Sequence, residues 1–159
     1  MGAKGEAFAK QFEARAQEAT AVVEKLSDAD WRKVTDAEKW SVGVTAHHVA
    51  GSHEPIANII KAVVAGQSLG NFTMDMLHEL NAKHAKEHAN CTKGETIELH
   101  KKGAAAAAAA VRGLSDDQLA KSGTVLTGAP PMSAEQVVTG ILINHIDDHF
   151  GSIRKTVGR

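Results

Sequence analysis

The sequence has little cysteine, proline or aromatic character, and it has no tyrosine. Its 159 residues include one cysteine, Cys91, and three prolines. A single cysteine excludes an intrachain disulfide, so nothing indicates an oxidising compartment. No apolar run approaches the roughly 20 residues that span a bilayer, and the first residues lead into a charged amphipathic stretch instead of the apolar core of a signal peptide. We therefore expect a cytoplasmic protein that does not enter a membrane.

Neither sign of charge is in excess. Lysine and arginine together number 18 and aspartate and glutamate 19, without a long block of either sign. A protein that binds nucleic acid usually carries a basic face that displaces counterions from phosphates. We therefore expect no nucleic-acid partner and favour a small-molecule substrate. The length fits a single domain, residues 1–159, with room for a real hydrophobic core.

The apolar residues follow a helical period, and no segment alternates as a half-buried strand would. A first helix is predicted over about residues 5–26. Ser41 is a suitable N-cap for a second helix to about residue 65, in which Pro55 predicts a kink or local break. A third helix over about 74–90 could continue through Thr92 and the alanine tract to about 112, as one interrupted helix. Ser133 begins the last helix, to about 156. The fold class is therefore all-α, a four-helix bundle.

Nine histidines are the clearest chemical signal, because neutral imidazole is a good metal ligand. Two pairs, His84/His88 and His145/His149, have the i, i+4 spacing that places both rings on one face of a helix. The face of His145 and His149 continues through apolar residues, so a metal ion would satisfy two inward imidazoles at once. The alternative is a core pair bonded to backbone, water or each other. The flanking charges of His84 and His88 favour a solvated helix surface.

A third ligand has to come from another helix. His47 and His48 lie about 100° apart on the second helix, so at most one of them faces the core. His48 lies nearer the predicted apolar side and is the preferred ligand. If Pro55 shifts the local register, His47 takes its place. Three imidazoles with one open position are typical of catalytic zinc sites. The remaining histidines, His53, His78 and His100, are predicted to lie at the surface.

Several segments together resemble the DinB/YfiT-like superfamily. Trp40-Ser41-Val42, followed by His48, is similar to the signature of that family's second helix. The closing segment 142–153 resembles its last helix, with the H-x-x-x-H pattern and a small residue after it. Leu80-Asn81 and the segment 114–119 are similar to its third-helix region. The resemblance covers nearly the whole chain.

The resemblance implies a four-helix bundle with non-sequential helix order and one divalent metal ion held by His48, His145 and His149. It implies zinc or nickel first, with iron or manganese as further options, and a homodimer. Members of the superfamily include mycothiol-dependent isomerases and bacillithiol S-transferases. This chain departs from the pattern in its double histidine and in the polar stretch from Gly51 to Pro55.

The resulting hypothesis is a metal-dependent S-transferase or isomerase that uses a low-molecular-weight thiol to attack small electrophilic molecules. Asn81, His84 and Trp40 are candidates for the pocket wall, and Asp148 for an acceptor that orients a ligand imidazole. Trp40 could instead simply anchor the start of its helix to the core. One alternative is a hydrolase in which metal-bound hydroxide is the nucleophile. Another is a non-catalytic binding or stress-response protein whose metal is structural or absent.

Overall fold

A computed structural model describes residues 2–158, most of which are helical. Its elements, in chain order, are α1 (Ala3–Lys25), α2 (Asp28–Arg32), α3 (Val42–Val64), α4 (Met74–Glu87), α5 (Lys93–Arg112), α6 (Asp116–Leu119), β1 (Ser122–Gly123), β2 (Met132–Ser133), α7 (Ala134–Val137), a π-helical segment (Val138–Ile143) and α8 (Asn144–Val157). None of the described helices is both long and apolar enough to cross a membrane.

The predicted helix starts are confirmed by side-chain caps. Ser41 Oγ accepts a hydrogen bond from the amide of Val44 at 3.1 Å, at the beginning of α3. Thr92 and Glu95 form a reciprocal capping box at the start of α5, and Ser133 forms one with Gln136 at the start of α7. Such caps satisfy amide groups that have no partner within the helix. Local sequence therefore determines where the long helices begin.

Four long helices form the bundle, and their spatial order differs from their chain order. They are α1, α3, α5 and the continuous last helix made of α7, the π-helical segment and α8. Helix α5 packs against both α1 and α3, and α8 also packs against both α1 and α3. Helices α1 and α3 therefore lie diagonally across the bundle, although they are the first and second long helices of the chain. This is the non-sequential order expected from the sequence resemblance.

The structure corrects several details of the sequence interpretation. Helix α3 passes through Pro55 without a break in its helical assignment, where we predicted a kink or break. Helices α4 and α5 are separate, and α4 lies against α3 beside the bundle. The last helix contains six π-helical residues that the cap and the periodicity did not predict. Ser122–Gly123 and Met132–Ser133 also form a two-stranded antiparallel ladder that closes the loop between α6 and α7.

The core contains two histidines that we predicted to lie at the surface. His53 is fully buried and His100 is 5% exposed, whereas His78 is exposed as predicted. His100 Nε2 donates to the carbonyl of Ala16 at 2.9 Å, which leaves His100 Nδ1 as the acceptor for His53 Nε2 at 3.0 Å. Burial is possible because this chain of hydrogen bonds fixes a neutral tautomer for each ring. The prediction for His53 and His100 was therefore wrong.

Candidate metal centre

Three imidazoles from two helices converge between α3 and α8. His48 lies on α3, and His145 and His149 lie one turn apart on α8. A ligand nitrogen of each ring lies within 4.8 Å of one from each of the other two rings. Nε2 of His48 and Nε2 of His145 face each other at 3.0 Å, and the ring centroids of His145 and His149 are 4.6 Å apart. The structure therefore brings together the three histidines that the sequence singled out.

Two of these rings are held in the neutral form at neutral pH. Burial, followed by the proximity of the rings of His145 and His149, lowers the pKa of His48 to about 3. Burial, followed by the proximity of His149, lowers the pKa of His145 to about 3. A cationic imidazolium is disfavoured here because water is excluded and because two protonated rings this close would repel each other. Neutral rings keep the lone pairs that bind a metal ion.

The third ring is oriented by a carboxylate that the sequence analysis did not identify. His149 Nδ1 donates to Oε2 of Glu38 at 2.6 Å, and Ser152 Oγ donates to Oε1 of Glu38 at 2.7 Å. Burial raises the pKa of Glu38, but the hydrogen bonds from Ser152 and His149 outweigh burial and lower that pKa below its usual value. When the ring is neutral, a proton held on Nδ1 by Glu38 leaves the lone pair on Nε2 for a metal ion.

Glu38 is delivered by a tight loop that precedes α3. The amide of Thr35 donates to the carbonyl of Trp40 at 2.8 Å, and the amide of Lys39 donates to the carbonyl of Thr35 at 3.1 Å. Lys39 has a φ of 63°, a left-handed conformation that is uncommon outside glycine. The fully buried Thr35 anchors the loop in the core. This closure directs Glu38 towards α8, although its backbone belongs to the segment before α3.

Asp148, which we proposed as the orienting acceptor, lies elsewhere. Its Oδ2 accepts a hydrogen bond from Nδ2 of Asn144 at 3.2 Å, and the residue is exposed. Asp148 precedes His149 by one position and therefore points about 100° away around the helix. The recorded acceptor of His149 is Glu38, so that suggestion is corrected.

A cavity of about 390 Å³ lies beside the triad. His48 and His145 form part of its wall, while most of the remainder is apolar and comes from α3, α4, the loop before α7 and the last helix. Its apolar lining consists of Gly51, Pro55, Ile56, Ile59, Phe72, Leu77, Leu80, Val125, Leu126 and Ile141. A largely apolar cavity of this size with a few convergent polar groups is typical of a small-molecule site.

The three pocket candidates take different positions around the cavity. Asn81 and His84, both on α4, line it directly. Trp40 is absent from the lining and instead contacts the ring of His48 edge to face, with centroids 5.1 Å apart. Trp40 therefore supports the orientation of His48.

A second group of imidazoles lies next to the triad. His47 on α3, His84 on α4 and His88, the residue that caps the end of α4, also present nitrogens within 4.8 Å of one another. Nδ1 of His47 lies 2.8 Å from Nε2 of His84. His84 and His88 are half-buried, so the prediction of a solvated surface for this pair was wrong. His47 belongs to this second group, and His48 belongs to the triad.

The donor set of the triad fits a divalent metal ion. At zinc–nitrogen distances of about 2.0–2.1 Å and tetrahedral angles, ligand nitrogens lie roughly 3.4 Å apart. The 3.0 Å separation of the His48 and His145 nitrogens needs only a small opening to reach that value. A neutral imidazole whose other nitrogen donates to a carboxylate is the usual state of a metal-ligating histidine, and His149 has that arrangement with Glu38.

Comparison of the sequence with protein families gives a match that covers residues 12–142. The family is the mycothiol maleylpyruvate isomerase N-terminal domain. The chain belongs to this family. The membership confirms the DinB/YfiT-like resemblance drawn from the tryptophan and histidine segments. A comparison with curated protein sequences finds no match.

Solved structures of other proteins share the fold. YfiT from Bacillus subtilis, to which metal-dependent hydrolase activity is attributed, matches with a TM-score of 0.76 and 16% identity over 99% of this chain and 90% of its own. The mycothiol-dependent maleylpyruvate isomerase matches with a TM-score of 0.74 and 12% identity over 94% of this chain. A histidine-to-alanine variant of that isomerase matches with a TM-score of 0.73 and 11% identity. The chain spans 60% of the isomerase's length. YfiT is described as a four-helix bundle of unusual topology, which agrees with the non-sequential order found here.

Proposed function

We propose that the chain is a metal-dependent enzyme that activates a low-molecular-weight thiol for transfer to, or isomerisation of, a small electrophilic molecule. His48, His145 and His149 would hold one divalent ion. The observation that carries the proposal is their convergence, two of them as neutral rings, at the wall of an apolar cavity. Zinc or nickel suits an all-imidazole ligand set, with iron or manganese as weaker candidates.

A bound ion with an open position supplies a Lewis acid, which lowers the pKa of a thiol or water that reaches it. The protein's own residues would provide the surroundings. Glu38 fixes the ring of His149, and Trp40 supports the ring of His48. Asn81 offers an amide within the cavity, and the apolar walls would exclude water from a reactive thiolate.

The chemistry that such surroundings favour is nucleophilic attack by sulfur. The thiol gives up its proton to solvent water, and the thiolate sulfur uses its electron pair to form a sulfur–carbon bond at the electrophilic carbon. In a transfer the leaving group departs with the bonding electrons. In an isomerisation the sulfur adds to a double bond and is later eliminated, which regenerates the thiol. The thiol part of the proposal is supported by membership of a family named after a mycothiol-dependent isomerase. A second copy of the chain, as a homodimer, is proposed on the same analogy.

The experiment combines metal analysis with a thiol-consumption assay, on protein produced without a histidine tag. The full chain loaded with Zn²⁺ or Ni²⁺ is mixed with a low-molecular-weight thiol and a generic electrophile, and loss of the thiol is followed. We expect turnover that requires both the ion and the thiol. The matched control is His149→Ala, which should lose the turnover.

Two other outcomes would overturn this proposal. Consumption of an ester or amide substrate without any thiol would favour the hydrolase alternative, which the activity attributed to YfiT supports. If the protein binds no metal and shows no turnover, a non-catalytic binding or stress-response role is favoured.

Replacing Glu38 by glutamine should weaken binding of the ion without removing it. Glutamine keeps one oxygen that can accept from His149, with its amide NH2 facing the Ser152 hydroxyl, but it loses the charge that makes the imidazole a stronger ligand. Loss of such an outer partner typically costs about 10–100-fold in metal affinity. The affinity is measured by competition for Zn²⁺ with a coloured chelator.

Asp148→Asn is the matched control for Glu38→Gln. It removes one carboxylate from the same neighbourhood, but this carboxylate contacts only Asn144 in the recorded hydrogen bonds. We expect less than about a twofold change in Zn²⁺ affinity, since an exposed charge is screened by solvent. A larger effect from Asp148→Asn than from Glu38→Gln would contradict the role assigned to Glu38.

A further inference from the structure

We propose a second divalent-cation site, formed by His47, His84 and His88, which fastens α4 to α3 beside the first centre. The three rings come from two different elements and present ligand nitrogens within 4.8 Å of one another. The proposal does not depend on the proposed function, because it concerns a separate set of residues and a different measurement.

The rings of this second cluster are already arranged around one point. The rings of His47 and His88 are stacked, with centroids 4.2 Å apart. The ring centroids of His84, in the last turn of α4, and His88, its C-cap, are 4.8 Å apart. Nδ1 of His47 and Nε2 of His84 are 2.8 Å apart, which is closer than the roughly 3.4 Å of two nitrogens on one tetrahedral zinc ion. A small outward movement of His84 would be enough to admit the ion.

The surroundings favour a cation over an empty cluster. The negative charges of Glu95 and Glu87 act on His47 and His84 respectively. Clustered neutral imidazoles with carboxylates nearby form a donor set that suits zinc, copper or nickel.

Helix α4 is an element that such an ion could stabilise. It has no buried residues and packs against α3 beside the main bundle. An element with so little buried surface is expected to open locally at small cost in free energy. It nevertheless supplies Leu77, Leu80, Asn81 and His84 to the cavity wall. An ion bridging His47 to His84 and His88 would therefore hold one wall of the cavity in place.

The two centres lie close together but use different ligands. His47 and His48 are adjacent on α3, and the rings of His48 and His84 are 5.7 Å apart. The second cluster is held less firmly, because two of its three rings come from α4 and from its C-cap, and α4 contributes no buried residue. We therefore expect the second ion to bind more weakly than the first, by about tenfold or more.

The test is a Zn²⁺ titration of untagged, chelator-stripped full-length protein, with stoichiometry measured calorimetrically and by elemental analysis. Wild type should bind two ions per chain. His88→Ala and His149→Ala should each bind one, and the double variant none. His78→Ala is the control, because it removes an exposed histidine of α4 outside both clusters, and it should still bind two. His88→Gln serves as a second variant that keeps a polar side chain of similar length.

Amide hydrogen exchange provides an independent readout. Zn²⁺ should slow exchange in α4 at least threefold in wild type and in His149→Ala, but not in His88→Ala. If His149→Ala binds no ion while His88→Ala still binds one, the protein has a single ion at the first centre and this proposal is overturned. Loss of binding in His88→Ala with retention in His149→Ala would support the second site and overturn the first. If saturation with Zn²⁺ leaves amide hydrogen exchange in α4 unchanged, the second ion does not hold α4 against α3.

Discussion

Replacing His145 by alanine is expected to abolish retention of the tightly bound ion and all ion-dependent turnover. The variant removes one of three imidazoles, and the two that remain, His48 and His149, lie on different helices. Removing an outer partner alone costs about 10–100-fold in affinity, so loss of a direct ligand should exceed roughly 100-fold. The affinity is measured by Zn²⁺ competition, and retention by elemental analysis after gel filtration.

The matched comparison for His145→Ala is His84→Ala. His84 lines the same cavity, and its ring centroid is 5.7 Å from that of His48. It nevertheless belongs to the other cluster. We expect His84→Ala to keep the tighter ion. The assignment is contradicted if His84→Ala empties the tighter site and His145→Ala leaves it filled. Thermal unfolding of both variants without metal excludes loss of the fold as the cause.

The sequence was most informative where a local rule acts alone. The caps at Ser41, Thr92 and Ser133 predicted where α3, α5 and the last helix begin, because a side-chain oxygen satisfies amides only three residues away. The spacing of His145 and His149 likewise determines their shared face without reference to other helices. Such features need no knowledge of how the helices pack.

The features that were missed depend on contacts between distant segments. Glu38 lies in a loop without periodicity, and its partner His149 is 111 positions away. The second cluster depends on α4 lying against α3, which no local pattern specifies. The π-helical segment ends immediately before α8. A regular helical period counted from Ser133 therefore does not give the face on which His145 lies. These features depend on how the helices pack, and the local patterns of a single sequence do not predict that packing.

His53 is a different case, because a signal was present in the sequence. It lies four residues after Val49 and seven before Ile60, both fully buried, and so shares their face of α3. The i, i+3, i+4 rule predicts burial, whereas the expectation of a surface position came from the lack of another histidine at a useful spacing from His53. A polar residue on an apolar face should have prompted a search for its partner, which is His100.

The buried pair His53 and His100 should make the metal-free protein lose stability in mild acid. Burial, followed by the proximity of His100, lowers the pKa of His53 to about 3 from the 6.5 expected in the unfolded chain. Nδ1 of His53, where a second proton would bind, is buried without a hydrogen-bond partner. Between pH 6.5 and 3 the unfolded chain therefore binds more protons than the folded one. The free energy of unfolding therefore keeps its full value above pH 6.5. As the pH drops below 6.5, it decreases by about 1.4 kcal/mol per pH unit for this histidine alone.

Urea unfolding of chelator-treated protein at a series of pH values measures this dependence, and the slope identifies the residue. His53→Gln can still donate to Nδ1 of His100 but cannot take up a proton, so its stability should fall less steeply below pH 6.5, by about 1.4 kcal/mol per pH unit. A lower stability of the variant at pH 8 would not affect this comparison, because only the slope is compared. His78→Gln removes an exposed histidine and should leave the wild-type slope unchanged. Equal slopes for wild type and His53→Gln would mean that His53 is not kept neutral by its burial against His100.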